Sequence, residues 1–205
     1  MGYQQPLFVK SARISAHLYF ATSVAKEISL TSKNARAITI RAGQRASGFI
    51  AITDFIEELS KVTINRSITI NRIAVKVSRI STEKERAAMA LNDFNKVRQK
   101  SSDARFLTSL DKAKQETEKS IQSFDEEFDR LILELEQELV ESYKQTRTAN
   151  MLVSTSKIEA AQAGEFQRPL EVIAENLEDA ASAIREQLHL AESILHEAKQ
   201  ETRNK

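Results

Sequence analysis

The side chains able to do covalent or metal chemistry are few and scattered. There are three histidines, His17, His189 and His196, and no cysteine. His189 and His196 are seven apart, so on a helix they share a face. They then lie about 10 Å apart along the axis, too far to chelate one metal ion. Absence of cysteine removes disulfides and thiolate ligands. Glu126-Glu127 and the other carboxylate runs sit in unbroken helical pattern, which reads as a solvated face rather than an acid/base pair. No glycine-rich phosphate loop follows a strand, and no Ser/His/Asp set has a pocket to occupy. The expectation is a protein that is not an enzyme and holds no cofactor or metal. Two glycine-marked reversals of the chain, at Gly43 and Gly164, stand out instead.

The elements that must position these residues are long helices. Of 205 residues, 29% are charged and 41% hydrophobic, with four Gly, two Pro and no Trp. Such a profile favours extended helix over a mixed compact fold. The breakers are grouped: Gly2 and Pro6 at the N-terminus, Gly43 and Gly48 at one place, Gly164 and Pro169 at another. From Pro6, suited to a first helical turn, the chain is helix-compatible to Ala42. Val24, Ile28, Thr31, Ala35, Ile38 and Ala42 give a 4-3-4-3-4 seam. A second helix starts near Gly48 with Phe49, Ile52, Ile56 and Leu59. Residues 62–80 are rich in β-branched side chains, which favour strand by propensity. Yet Ile70, Ile73, Val77 and Ile80 keep 3-4-3 spacing and no turn residue intervenes, so the spacing predicts helix. Met89, Leu91, Phe94 and Val97 prolong it.

Ser101-Ser102-Asp103 offers cap side chains for a reversal near residue 106. Thr82 and Glu85 form a second-ranked capping box. The third helix, with Ile121, Phe124, Phe128, Leu131 and Leu135, runs to Ala163. The fourth starts near Pro169 and carries Leu170, Ile173, Leu177, Ala180, Ile184, Leu188, Ala191 and Leu195. The two middle helices are then roughly 50–60 residues, or about 75–90 Å.

Residues 27–57 and 148–178 share one layout. Ala42-Gly43 and Ala163-Gly164 each close a helix, and an apolar helix follows; the two glycines are 121 residues apart. Both stretches resemble the cytoplasmic signalling hairpin of bacterial methyl-accepting chemotaxis receptors. The second keeps Ile158-Glu159-Ala160-Ala161, Ala163-Gly164-Glu165, Arg168 and Val172-Ile173-Ala174. The first keeps Asn34-Ala35, Arg41-Ala42-Gly43, Gly48-Phe49 and Leu59. Departures from the family pattern are Thr155 for Asn, Gln162 for Arg and Pro169-Leu170 for Gly-Phe in the second copy. In the first they are Ile38 for Glu, and Gln44. The resemblance covers about 30 residues of each copy.

The resulting expectation is an all-α, elongated, antiparallel four-helix coiled-coil bundle over residues 1–205. Two tandem hairpins make it, 6–100 with a tip at 43–48 and 104–203 with a tip at 164–169. Charge supports pairing them within one chain. Residues 1–105 hold 18 Lys/Arg against 8 Asp/Glu, a net of +10, and residues 106–205 hold 12 against 21, a net of −9. Basic beside acidic attracts, whereas two copies of either half repel. This makes a monomeric pseudo-dimer of the receptor bundle. No apolar run approaches the roughly 20 residues of a membrane span and no signal peptide is evident, so the reading is cytoplasmic.

The resemblance implies binding of a coupling protein of the CheW type and a histidine kinase of the CheA type at the tips, and packing against other receptors. Leu30 and Met151 match an apolar position one turn before the family's Asn and are the candidate adaptor contacts. The family's Asn, Glu and Arg are split: Asn34 and Arg41 in the first copy, Glu159 in the second. Glu165 and Arg168 sit on the second tip, and Phe49 and Val172 follow the tips. Ser182 to Ala191, around Glu186-Gln187, matches the family's methylation pattern only in part and lies too near the tip, so it reads as chance. The alternative function is a structural coiled-coil spacer with eroded tips. Nucleic-acid binding by Arg36, Arg41, Arg45, Arg66, Arg72 and Arg79 is disfavoured by few aromatics and the acidic neighbour half.

Overall fold

The computed structural model describes residues 7–100 and 107–203. Among these, only Gln162 and Ala163 fall outside helix, and there is no strand. The elements are α1 (Leu7–Ala42), a 3-10 turn (Gly43–Ala46), α2 (Ser47–Lys100), α3 (Leu107–Ala161), a second 3-10 turn (Gly164–Phe166) and α4 (Gln167–Arg203). The fold is all-α. α1 packs on α2 and α4, and α3 packs on the same two. No helix among the described residues is long and apolar enough to cross a membrane.

Residues 62–80 lie inside α2, as the spacing requires, with Ile70, Ile73, Val77 and Ile80 all buried. Burial of a shared apolar stripe outweighs the intrinsic strand preference of β-branched side chains. α2 also runs unbroken through Thr82–Glu85. The reversal expected near residue 106, with Ser101-Ser102-Asp103, lies outside the described residues, as does Pro6.

Both glycine turns are real and alike. Gly43 has φ 60° and Gly164 φ 61°, and no non-glycine described residue has positive φ. Glycine takes this left-handed conformation without the Cβ clash that other residues suffer. The following helices begin earlier than expected, at Ser47 and Gln167. Each 3-10 turn already has near-helical geometry, so Gly48 and Pro169 fall in the first turn of a helix, where proline's missing N–H is harmless.

The interior of α1 differs from the expected seam. Its buried residues are Lys10 and Ser11 near its start, then Ile14, Leu18, Ala21, Ala25, Ile28, Ser32, Ala35, Thr39 and Ala42, in strict 4-3 alternation from Ile14 on. Val24, Thr31 and Ile38 are half-buried beside it. Ala, Ser and Thr hold the central line because small side chains let helices approach closely. Their hydroxyls are satisfied locally or across helices: Ser32 Oγ donates to the Thr53 carbonyl at 2.7 Å and Thr39 Oγ1 to the Arg36 carbonyl at 2.9 Å.

The buried set repeats at the 121-residue offset. Ile14, Leu18, Ala35, Ala42 and Phe49 have buried counterparts in Leu135, Leu139, Ser156, Ala163 and Leu170; Ile70, Ala74 and Val77 have them in Ala191, Leu195 and Ala198. Many pairs are unequal in size. Ile28 matches Ala149, Ser67 matches Leu188, and Ala74 matches Leu195.

The core has two apolar clusters. One, around Ile70, Leu131, Leu135 and Leu195, lies towards the helix termini away from the glycine turns; the other, around Phe49, Ile56, Leu170 and Leu177, lies beneath those turns. Between them Ala25, Ser60, Thr63, Thr146 and Ala149 border a small apolar cavity of about 30 Å³. In the opposite direction burial fades. No residue of α2 beyond Ser81, and none of α3 before Phe128, is fully buried among the described residues. There α2 and α3 hold each other as a pair, joined by ion pairs from Lys84 to Asp125 and from Arg98 to Asp111.

Candidate partner-binding tip

The turns bring residues from both halves together. Arg45 Nη1 of the first turn donates to Glu165 Oε1 of the second at 2.7 Å. Both side chains are well exposed, so the pair fixes little stability, but it places the two turns side by side.

Glu159, on the last turns of α3, is half-buried and lies against Gly48 of α2. A Cβ at position 48 would stand 2.1 Å from Glu159 Oε2. Glycine there is what leaves room for the carboxylate. At the 121-residue counterparts the chain has Ile38 in place of Glu159 and Pro169 in place of Gly48. Ile38 packs partly buried against the core, and Pro169 is exposed.

Leu30 and Met151 are 62% and 72% exposed. They occupy the same heptad position on α1 and α3, on the surface facing away from the core. Asn34, Arg41, Glu165 and Arg168 are exposed. Arg41 Nε donates to its own helix, to the Ala37 carbonyl at 3.2 Å. Val172 is exposed, whereas Phe49 is completely buried and is a core residue with no surface to offer in this conformation. Its exact fit under the turns follows from its heptad position, shared with the fully buried Leu170.

Sequence reasoning placed Ile158 in the tip motif but not among the contact residues. It is exposed one heptad from Met151 on the same outer line of α3, with exposed Ser154 and Thr155 between them. Thr148, Ser154, Thr155, Ala161 and Gln162 are exposed nearby, leaving this outer surface almost uncharged within a strongly acidic half. A count of outward-facing positions along α3 could have found it.

The histidines stand apart. His17 Nδ1 lies 2.8 Å from Gln187 Oε1 across α1 and α4, which occupies the glutamine of the methylation-like stretch. His189 and His196 are exposed on α4. Among the described residues no group of three His, Cys, Asp or Glu is arranged to hold a metal ion. Comparisons with protein-family models, with curated proteins and with solved structures return no match.

Proposed function

We propose that this chain is a soluble, cytoplasmic, receptor-like signalling or scaffold protein. Its two hairpins fold on one another as a single-chain, antiparallel four-helix pseudo-dimer, and it engages a chemotaxis coupling protein and histidine kinase through the tips. The observation that carries this reading is the paired tip. Two glycines 121 residues apart take the same left-handed φ, the buried positions repeat at that offset, and Leu30 and Met151 are displayed at equivalent places on top of that frame. Large exposed apolar side chains on a helix surface are the usual material of protein–protein contact.

Opposed partner numbers support the antiparallel packing. Lys157 pairs with Glu178, Asn150 with Arg185 and Glu136 with Lys199, so partners fall on α3 as they rise on α4. The unequal sizes of matched core residues support pairing within one chain. A layer with Ile28 and Ala149 is filled once, whereas two copies of one half would place two large or two small residues together.

Purified protein is mixed with the adaptor and the kinase of its host in a pull-down. Wild type is expected to retain them, and Leu30→Ala with Met151→Ala to lose them, with Glu159→Ala weakening capture several-fold. No capture by wild type at tens of micromolar would sink the signalling reading and leave a coiled-coil spacer.

A further inference from the structure

We propose that complete molecules also associate side by side, the outer face of the first hairpin seating on the outer face of the second hairpin of another copy. This rests on the two-hairpin arrangement and not on the signalling role. On α1 and α2, Phe8, Tyr19, Ile68 and Val75 are exposed, Tyr19 at 79%. The register set by Ser32 with Thr53 and Arg36 with Asp54 puts Tyr19 level with Ile68, and the heptad positions of all four place them along the outer groove between α1 and α2. On α3 and α4 the corresponding groove exposes Leu133 and Val140.

The two faces are one frame with complementary charge. Beside the first patch stand Arg72 and Arg79; their counterparts are Ser193 and Gln200. Beside the second stand Asp129, Glu186 and Glu192; their counterparts are Phe8, Asn65 and Asn71. These two arginines and three carboxylates are exposed and enter no ion pair among the described residues. A second copy supplies both what the basic face lacks and what the acidic face lacks, across an apolar centre. Like faces repel. Because the two faces lie on opposite sides of the molecule, each contact leaves one of each unused, so association runs on as an open row rather than closing as a dimer.

Sedimentation velocity of the full chain tests this over a range of concentrations at low and high salt. Wild type is expected to grow with concentration and to revert towards monomer at high salt. Tyr19→Glu with Val75→Glu, and separately Leu133→Lys with Val140→Lys, should each stay monomeric, while their mixture forms a one-to-one dimer and nothing larger. The chain has no cysteine, which permits a second reading independent of those variants. Tyr19→Cys and Val140→Cys proteins should form a disulfide under mild oxidation when mixed, at least tenfold faster than either alone. A wild type that stays monomeric at high concentration and low salt overturns the proposal. So does self-association of either blocked variant, or association abolished by Leu30→Ala with Met151→Ala, which would place the contact at the tips. Adaptor capture reads the tips alone, so the two proposals fail separately.

Discussion

At the residue scale the two glycine turns are the most demanding positions. Each holds φ near +60° with open space where a Cβ would project, so the penalty for a side chain is conformational rather than steric. Gly43→Ala and Gly164→Ala are expected to lower stability by similar amounts, about 1–2 kcal/mol each, read from urea unfolding midpoints. Gly48 is different. Its backbone is helical, and the atoms a methyl group there would meet first are the end of the Glu159 side chain. Gly48→Ala should leave stability nearly unchanged and move the Glu159 carboxylate outward, which a crystal structure of the variant would display. Tyr143 offers a pH signature. Its hydroxyl is buried beside the Glu192 carboxylate; burial, then that negative charge, pushes its pKa from an ordinary 10 up to about 12. The unfolded chain loses this proton first, so the contribution is intact below pH 10 and is lost as pH rises towards 12. Tyr143→Phe should remove that alkaline loss while leaving stability near neutral pH equal or slightly higher, as unfolding curves of the two proteins across that window would reveal.

Elements differ in how firmly they are held. Residues 70–81 of α2 and 128–139 of α3 contribute to the apolar core, whereas 82–100 and 107–127 hold no fully buried side chain among the described residues, with Phe124 packed at the edge of that core. Ile73→Ala removes a fully packed side chain and should destabilise by about 2–4 kcal/mol, but the same change at half-buried Phe94 only by about 1 kcal/mol, reflecting the smaller area removed from water. Amide exchange should be faster in the paired stem than in the core segments by two or more orders of magnitude, since local opening there exposes little apolar surface. Equal protection along the whole of α2 would show the stem to be covered by something further.

For the whole molecule, the matched but unequal core residues make a testable unit. Ile70 and Ala191 are both fully buried counterparts. Ala191→Ile should overpack its layer and cost about 1–3 kcal/mol. Combined with Ile70→Ala it should recover a good part of the summed loss, a coupling measured by the double-mutant cycle. Strict additivity would mean that the two positions do not share a layer. A basic half and an acidic half, +10 and −9, are attracted within the chain and again between chains.

The sequence by itself determined the helices and the two glycine turns. Heptad spacing and the placement of four glycines and two prolines are local properties, and local rules sufficed even through the β-branched run of 62–80. It also carried the 121-residue offset of the two glycine turns, because an offset needs no coordinates. Tertiary packing decided which side of each helix goes in. Ser32, Thr39 and Ala25 fill the centre of α1 while Leu30 stays outside, an outcome that hydrophobicity alone reads backwards. Small side chains win the axis because four backbones must come close there, and that pressure exists only once all four helices are present. Packing likewise sent Phe49 inward, left Val172 and Ile158 out, and set Glu159 against Gly48. Glu159 and Gly48 are more than a hundred positions apart, a distance over which no sequence period can carry the information.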